Sequence, residues 1–118
     1  MSENVSWLLE LAVKPGELDT FEALMHEMVE STQAEPGTLS YEWSISDAGD
    51  VCHVYERYAD SAAALAHMRS FGASFGGRFL AVTTPTRLTV YGTPSDDVKK
   101  GLSAFGPVFL APFGGFAR

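Results

Sequence analysis

Cysteine is nearly absent. Cys52 stands alone among 118 residues, which excludes an intramolecular disulfide and any cysteine-based metal cluster and fits a reducing compartment. Basic charge is scarce as well: eight Lys and Arg stand against 15 Asp and Glu, a formal net charge of −7. A chain of that sign lacks the clustered cations that a nucleic-acid backbone or an anionic membrane surface requires, so neither is an expected partner. No apolar run approaches the ~20 residues of a bilayer span. The N-terminal MSENVSWLLELAVKPG has neither the basic start nor the long apolar stretch of a secretory signal, which makes the cytoplasm the expected location. What is present, 46% apolar and 19% charged residues, is the composition of one compact domain spanning residues 1–118.

The apolar pattern changes period along the chain. Ser6–Val13 carries one charge, Glu10, and ends in Lys14-Pro15-Gly16, which reads as a largely buried strand closed by breaker residues. Leu18, Phe21, Leu24, Met25, Met28 and Val29 then recur at spacings of three and four, the signature of an amphipathic helix; His26 falls towards its solvated side. Glu35-Pro36-Gly37 stops that helix. Thr38–Ser46 alternates, with Leu39, Tyr41, Trp43 and Ile45 on one face, and a turn at Asp47–Asp50 leads to its hairpin partner, Val51–Ala59. There Cys52, Val54, Glu56 and Tyr58 share one face, and Val51, His53, Tyr55 and Arg57 the other.

Asp60 is placed to cap a helix that begins at Ser61 and carries His67. The glycines at 72, 76 and 77 predict two short helices broken around Ser70–Gly72. Thr84-Pro85-Thr86 opens a last main strand, Arg87–Tyr91, and Ser95–Phe105 reads as a short capped helix. The tail, GPVFLAPFGGFAR, is apolar apart from Arg118.

Strand, helix, strand, strand, helix, strand is the order of the ferredoxin-like split βαβ, an α+β fold with one antiparallel sheet and helices on one side. Trp7, Leu9 and Leu11, with Tyr41, Trp43 or Tyr55, are more apolar surface than one helical layer is expected to cover. A homodimer packed sheet against sheet, with the 93–118 extension at its interface and a core spanning about 6–92, is the expected solution.

Three segments, VKPG (Val13–Gly16), EPGTLSYE (Glu35–Glu42) and YERYADSAAALAH (Tyr55–His67), resemble the antibiotic biosynthesis monooxygenase (ABM) family of dimeric α+β barrel proteins, over roughly Ser6–Gly92. The resemblance implies a pocket between sheet and helices, and oxidation of a small aromatic or quinol-like molecule without metal or flavin. It maps the family's glutamate and histidine onto Glu56 and His67. Many members carry a second histidine where this chain has Gly72, which implies a roomier, more apolar pocket here. The Asn, Trp and His pattern of haem-degrading relatives is not found.

On this reading His67 is the candidate base, because imidazole titrates near neutral pH, and Glu56 orients it or holds a substrate hydroxyl. The plain alternative is that the two merely hydrogen-bond each other as a buried polar pair. Tyr41, Trp43, Tyr58, Phe71 and Phe75 are the candidate substrate contacts, each equally able to serve as core. His53, out of phase with Glu56, is expected at the surface or an interface; Cys52 is expected to pack as a small apolar group; no metal-ligand spacing is present. Three readings stay open: a cofactor-free monooxygenase, a non-catalytic barrel that binds an apolar ligand, and a non-redox isomerase or cyclase on the same scaffold.

Overall fold

A computed structural model describes residues 3–118. Its elements are β1 (Val5–Val13), α1 (Leu18–Gln33), β2 (Thr38–Ile45), β3 (Val51–Tyr58), α2 (Ser61–Ser74), α3 (Gly76–Val82), β4 (Thr83–Tyr91), α4 (Asp96–Leu102), a single 3-10 turn at Ser103–Phe105, and β5 (Val108–Leu110). The sheet runs β2-β3-β1-β4-β5, antiparallel except for the parallel β4–β5 pair. Its first four strands have the ferredoxin-like order.

β1 lies at the centre, and its strict alternation shows why. Val5, Trp7, Leu9, Leu11 and Val13 are all buried on the helix-covered face, and the residues between them are half-buried on the other. Cys52, Val54, Glu56 and Tyr58 of β3 and Leu88 and Val90 of β4 join the same inner face. Phe21, Leu24 and Met28 of α1 and Phe79 and Val82 of α3 cover it, the spacing of three and four bringing one stripe of α1 down onto the sheet.

Five details depart from the sequence-based expectations. Trp7, Leu9 and Leu11 share the inner face with Tyr41 and Trp43, so they leave no apolar surplus on the outer face; of the aromatic residues invoked there, only Tyr55 points outward. Leu39 is exposed, because the β2–β3 register slips between Thr38 and Ser40 and places it in a bulge, and Ile45, at the strand end, is exposed as well. The helix break falls at Phe75 rather than at Ser70–Gly72: one glycine costs only about 1 kcal/mol in a helix, and α2 runs through Gly72 to Ser74 before Phe75 leaves helical geometry. β4 begins at Thr83, four residues early. It tolerates Pro85 because β5 pairs only with Thr89–Tyr91, which leaves the proline on an open edge beside a bulge at Thr86. Finally, the core passes residue 92, since Val98 and Leu102 of α4 are buried in it, and Val108–Leu110 extends the chain's own sheet.

Two local devices aim α2. Asp60 caps it, its carboxylate accepting the Ala63 N–H at 2.9 Å, a bond worth about 1 kcal/mol at such a position. Gly37 lies so close to the first turn that a Cβ there would stand 2.5 Å from the Cβ of Ala63. Gly37→Ala is therefore expected to lower stability by about 1–3 kcal/mol, as overpacking does, a loss measurable by urea unfolding.

Candidate functional site

The register sets the floor of a cavity. Tyr41, Glu56 and Trp7 lie side by side across β2, β3 and β1, and Trp43, Val54, Leu9 and Leu88 make the next row. All seven line a cavity of about 230 Å³ between the sheet and the helices. Met28 of α1 and Phe79 of α3 close one side, His67, Met68, Phe71 and Gly72 of α2 the roof, and Gly101, Leu102 and Phe105 the far end. The lining is largely apolar and aromatic. Trp43 meets Tyr41, Phe21 and Phe79 at centroid distances of 5.6, 5.7 and 6.3 Å, edge-on or tilted as ring quadrupoles favour.

Into this lining the fold sets one charged cluster. His67 is buried, with Nδ1 2.9 Å from Glu35 Oε1 and Nε2 3.3 Å from Glu56 Oε1. The Tyr58 hydroxyl donates to that same Glu56 oxygen at 2.5 Å. Glu35 is held in turn by the Thr38 hydroxyl, which donates to its Oε1 at 2.8 Å. Each part comes from a separate element: Glu35 from the loop after α1, Glu56 and Tyr58 from the inner face of β3, and His67 from the second turn of α2, on the same side as buried Ala64.

The electrostatics follow from that bracket. Burial is the largest influence on His67 and on its own disfavours the charged imidazole, but hydrogen bonds and attraction from Glu56, joined by Glu35, outweigh it, so its pKa lies above the usual 6.5. The charged ring is the form this bracket favours, and in that form each nitrogen donates to a carboxylate. Tyr41 and Tyr58 are both pushed well above the ordinary phenol range, first by burial and then by the charge of Glu56, and remain protonated donors. Burial likewise pushes the Cys52 thiol up to about 11, so it packs as an inert apolar group.

Among the residues singled out from sequence, Glu56, His67, Tyr41, Trp43 and Phe71 meet at the cavity. Tyr58 lies behind Glu56, fully buried and 4.8 Å from Trp7 ring to ring, and does not line it. Phe75, at the α2–α3 junction, packs against the core instead. The contact between Glu56 and His67 allowed for in the plain reading is present. Sequence reasoning missed Glu35, read only as part of a helix stop, and the contribution of Trp7, Gly101, Leu102 and Phe105. Glu35 does stand in one of the segments that carry the family resemblance, which is the signal that could have marked it. Among the described residues no group of three or more His, Cys, Asp and Glu is arranged to hold a metal ion, and no helix is long and apolar enough to cross a membrane.

A ferredoxin-like sheet with an apolar pocket under its helices and a His–carboxylate cluster in the pocket wall defines a class of small α+β proteins. Within that class, the sequence of the antibiotic biosynthesis monooxygenase family matches residues 5–74, more than half of the chain, and the protein belongs to that family. Among solved structures, MupZ from Pseudomonas fluorescens is 24% identical, with a TM-score of 0.89, and the match covers 100% of this chain and 91% of MupZ. Rv0793 from Mycobacterium tuberculosis is 26% identical over 79% of this chain and 96% of its own, with a TM-score of 0.60. SnoaB, a cofactor-independent oxygenase from Streptomyces nogalater, is 14% identical over 80% of this chain and 96% of its own, with a TM-score of 0.68. No curated protein sequence matches the chain.

Proposed function

We propose that this protein is an enzyme of the ABM scaffold that carries out acid–base chemistry on a small, mostly apolar molecule, with Glu56 as the group that meets the substrate. An apolar cavity of about 150 Å³ takes one benzene ring, so about 230 Å³ suits one or two rings. The observation that carries the reading is the double engagement of His67. With a carboxylate at each nitrogen the imidazole has no lone pair free to take a substrate proton, so the base is Glu56 and His67 is the cation that orients it.

Base strength then favours the non-redox reaction class. Cofactor-free oxygenation starts from the free anion of a phenol or quinol. An ordinary carboxylate falls short of a phenol by between about five and six pKa units, roughly 7–8 kcal/mol, and a cation hydrogen-bonded to a carboxylate does not strengthen it as a base. A concerted isomerisation or ring closure never forms that anion. As a substrate hydroxyl adds to the β-carbon of an enone, Glu56 takes its proton and returns it to the α-carbon, while Tyr41, a protonated donor on the same wall, hydrogen-bonds the carbonyl oxygen where charge develops. The second reading, monooxygenation of a quinol-like aromatic without cofactor, is favoured by family membership and the aromatic lining.

Incubating the protein with small hydroxy-enones and with hydroquinones, under air and under argon, separates the two. The first reading expects products of unchanged mass, formed equally under argon. Oxygen uptake and a gain of one oxygen atom from a hydroquinone would instead establish the second. No turnover of either class defeats both and leaves a binding protein.

The subunit is proposed to work as a homodimer through its outer sheet face and apolar tail. Val51, Tyr91, Val108 and Leu110 are exposed there, and Phe113 and Phe116 stand out from the tail, more apolar surface than a monomer ordinarily presents. Sedimentation equilibrium is expected to give about 25 kDa, twice the 12.7 kDa chain; a mass of one chain at micromolar concentration excludes the dimer.

A further inference from the structure

Two glycines stand where the cavity lining reaches the surface. Gly72 on α2 and Gly101 on α4 both line the cavity and are both exposed, which puts them at its rim. Met68 and Phe71 flank Gly72 on the same helix, and Phe105 of the 3-10 turn stands opposite; all three are half-buried. A Cβ built at Gly72 meets nothing within 4 Å, so the space beside it is empty. At Gly101 a Cβ would run into the Met68 methyl group, so the missing side chain is what lets α4 approach α2 there. The far rim is fixed in place. The Ser95 N–H donates to the Ser61 hydroxyl at 2.9 Å, Val98 and Leu102 are buried, and the Gly92 N–H donates to Leu110 O at 3.2 Å.

We infer that the gap between α2 and the α4–Phe105 segment is the mouth through which the substrate passes, and that Gly72 and Phe105 set its width. The inference rests on the reading that the cavity holds the substrate. Glu56 lies on the sheet side of the cavity and Met68, Phe71 and Phe105 make the rim apolar, so a molecule with one polar end and an apolar remainder fits with its polar end at Glu56 and its apolar part towards Gly72. The extension after residue 92 thereby acts in selection: without Gly101, Leu102 and Phe105 the cavity has no far wall.

A mouth and a wall differ kinetically. By microscopic reversibility, narrowing a passage slows entry and exit by the same factor and leaves the equilibrium constant unchanged, whereas altering a wall shifts affinity. Both tryptophans of the chain, Trp7 and Trp43, line the cavity, so intrinsic fluorescence in a stopped-flow instrument reports occupancy by 4-nitroanisole, a neutral aromatic that absorbs where tryptophan emits. Gly72→Phe is expected to lower both association and dissociation rate constants on the order of 10-fold, with Kd within about twofold, whereas most affinity changes among related complexes reside in dissociation. Phe105→Ala, which widens the mouth and also removes part of the far wall, is expected to raise both rate constants, dissociation more than association, and Gly72→Ala to leave both near wild type. Gly72→Leu, at a position where a Cβ meets nothing within 4 Å, replaces Gly72→Phe if that variant does not fold. Unchanged rates in the narrowed variant, a Kd shift carried by one rate constant, or no quenching of the wild-type protein overturns the inference. Binding needs no turnover, so the failure of Glu56 chemistry would leave this test intact, and a failed mouth would leave the Glu56 results intact.

Discussion

Glu56→Gln is expected to lower turnover of the compound class that the incubation assay finds active by 10²- to 10⁴-fold, the range over which a positioned acid or base acts, while ligand binding stays within about threefold. The reasoning separates shape from charge. Glutamine keeps the volume of the side chain, accepts the Tyr58 hydroxyl through its amide oxygen and leaves the apolar floor of Trp7, Leu9 and Trp43 unaltered. What it removes is the negative charge and the ability to take a proton. A fall in kcat with KM little changed is the signature of a group that acts in the reaction rather than in holding the substrate. Retention of full turnover would remove Glu56 from the chemistry and return the Glu56–His67 pair to a purely structural role.

The second large effect concerns stability. His67→Leu is expected to cost about 3–5 kcal/mol, because deleting one member of a buried charge cluster strands its partners. Glu35 and Glu56 would face each other across an apolar side chain, and Glu35 already has one buried oxygen, Oε2, without a partner. For a domain of this size that loss corresponds to a fall in Tm of roughly 15–30 °C. The pH dependence distinguishes this from a simple packing defect. In the wild type, the folded state binds a proton on His67 more tightly than the unfolded chain does. That contribution is fully present below about pH 6.5 and is lost as pH rises through the higher folded value, so wild-type stability should decline from pH 6 towards alkaline pH. In His67→Leu this decline should vanish, and the deficit should shrink as pH falls and the stranded carboxyls take up protons. Thermal melts at a series of pH values check both slopes. A deficit independent of pH would mean that the imidazole contributes packing and no charge.

The fold was readable because its signals are local. The alternation of Trp7, Leu9 and Leu11, the three- and four-residue spacing of Phe21, Leu24 and Met28, and the Asp60 cap each depend on a few neighbouring residues, and together they define a ferredoxin-like order with few competitors. Where the reading slipped, a non-local contact decided. The bulge at Leu39 and the open edge at Pro85 are properties of strand pairs, and α2 passes through Gly72 because the flanking residues hold the helix together. The cluster was half legible for the same reason. Glu56 and Tyr58 are two apart on one strand, so their shared face follows from parity, and His67 sits a fixed distance into a capped helix. Glu35 lies 32 residues from its partner. It reaches His67 only because Gly37 packs against Ala63, which draws the loop after α1 under α2, and no spacing rule expresses that. The base assignment moved with it: a histidine seen with one carboxylate reads as a base, and one held between two reads as a cation.

The chemistry proposed for Glu56 depends on His67 being an imidazolium bracketed by Glu35 and Glu56. A pH titration of the three histidines by long-range proton–nitrogen correlation NMR tests it most directly, since each ring reports its own protonation state and only His26, His53 and His67 contribute signals. The result predicted is that both nitrogens of His67 remain protonated at pH 7 and titrate above 6.5. A neutral ring at pH 7, protonated on one nitrogen and titrating at or below 6.5, would contradict it and restore His67 as a base.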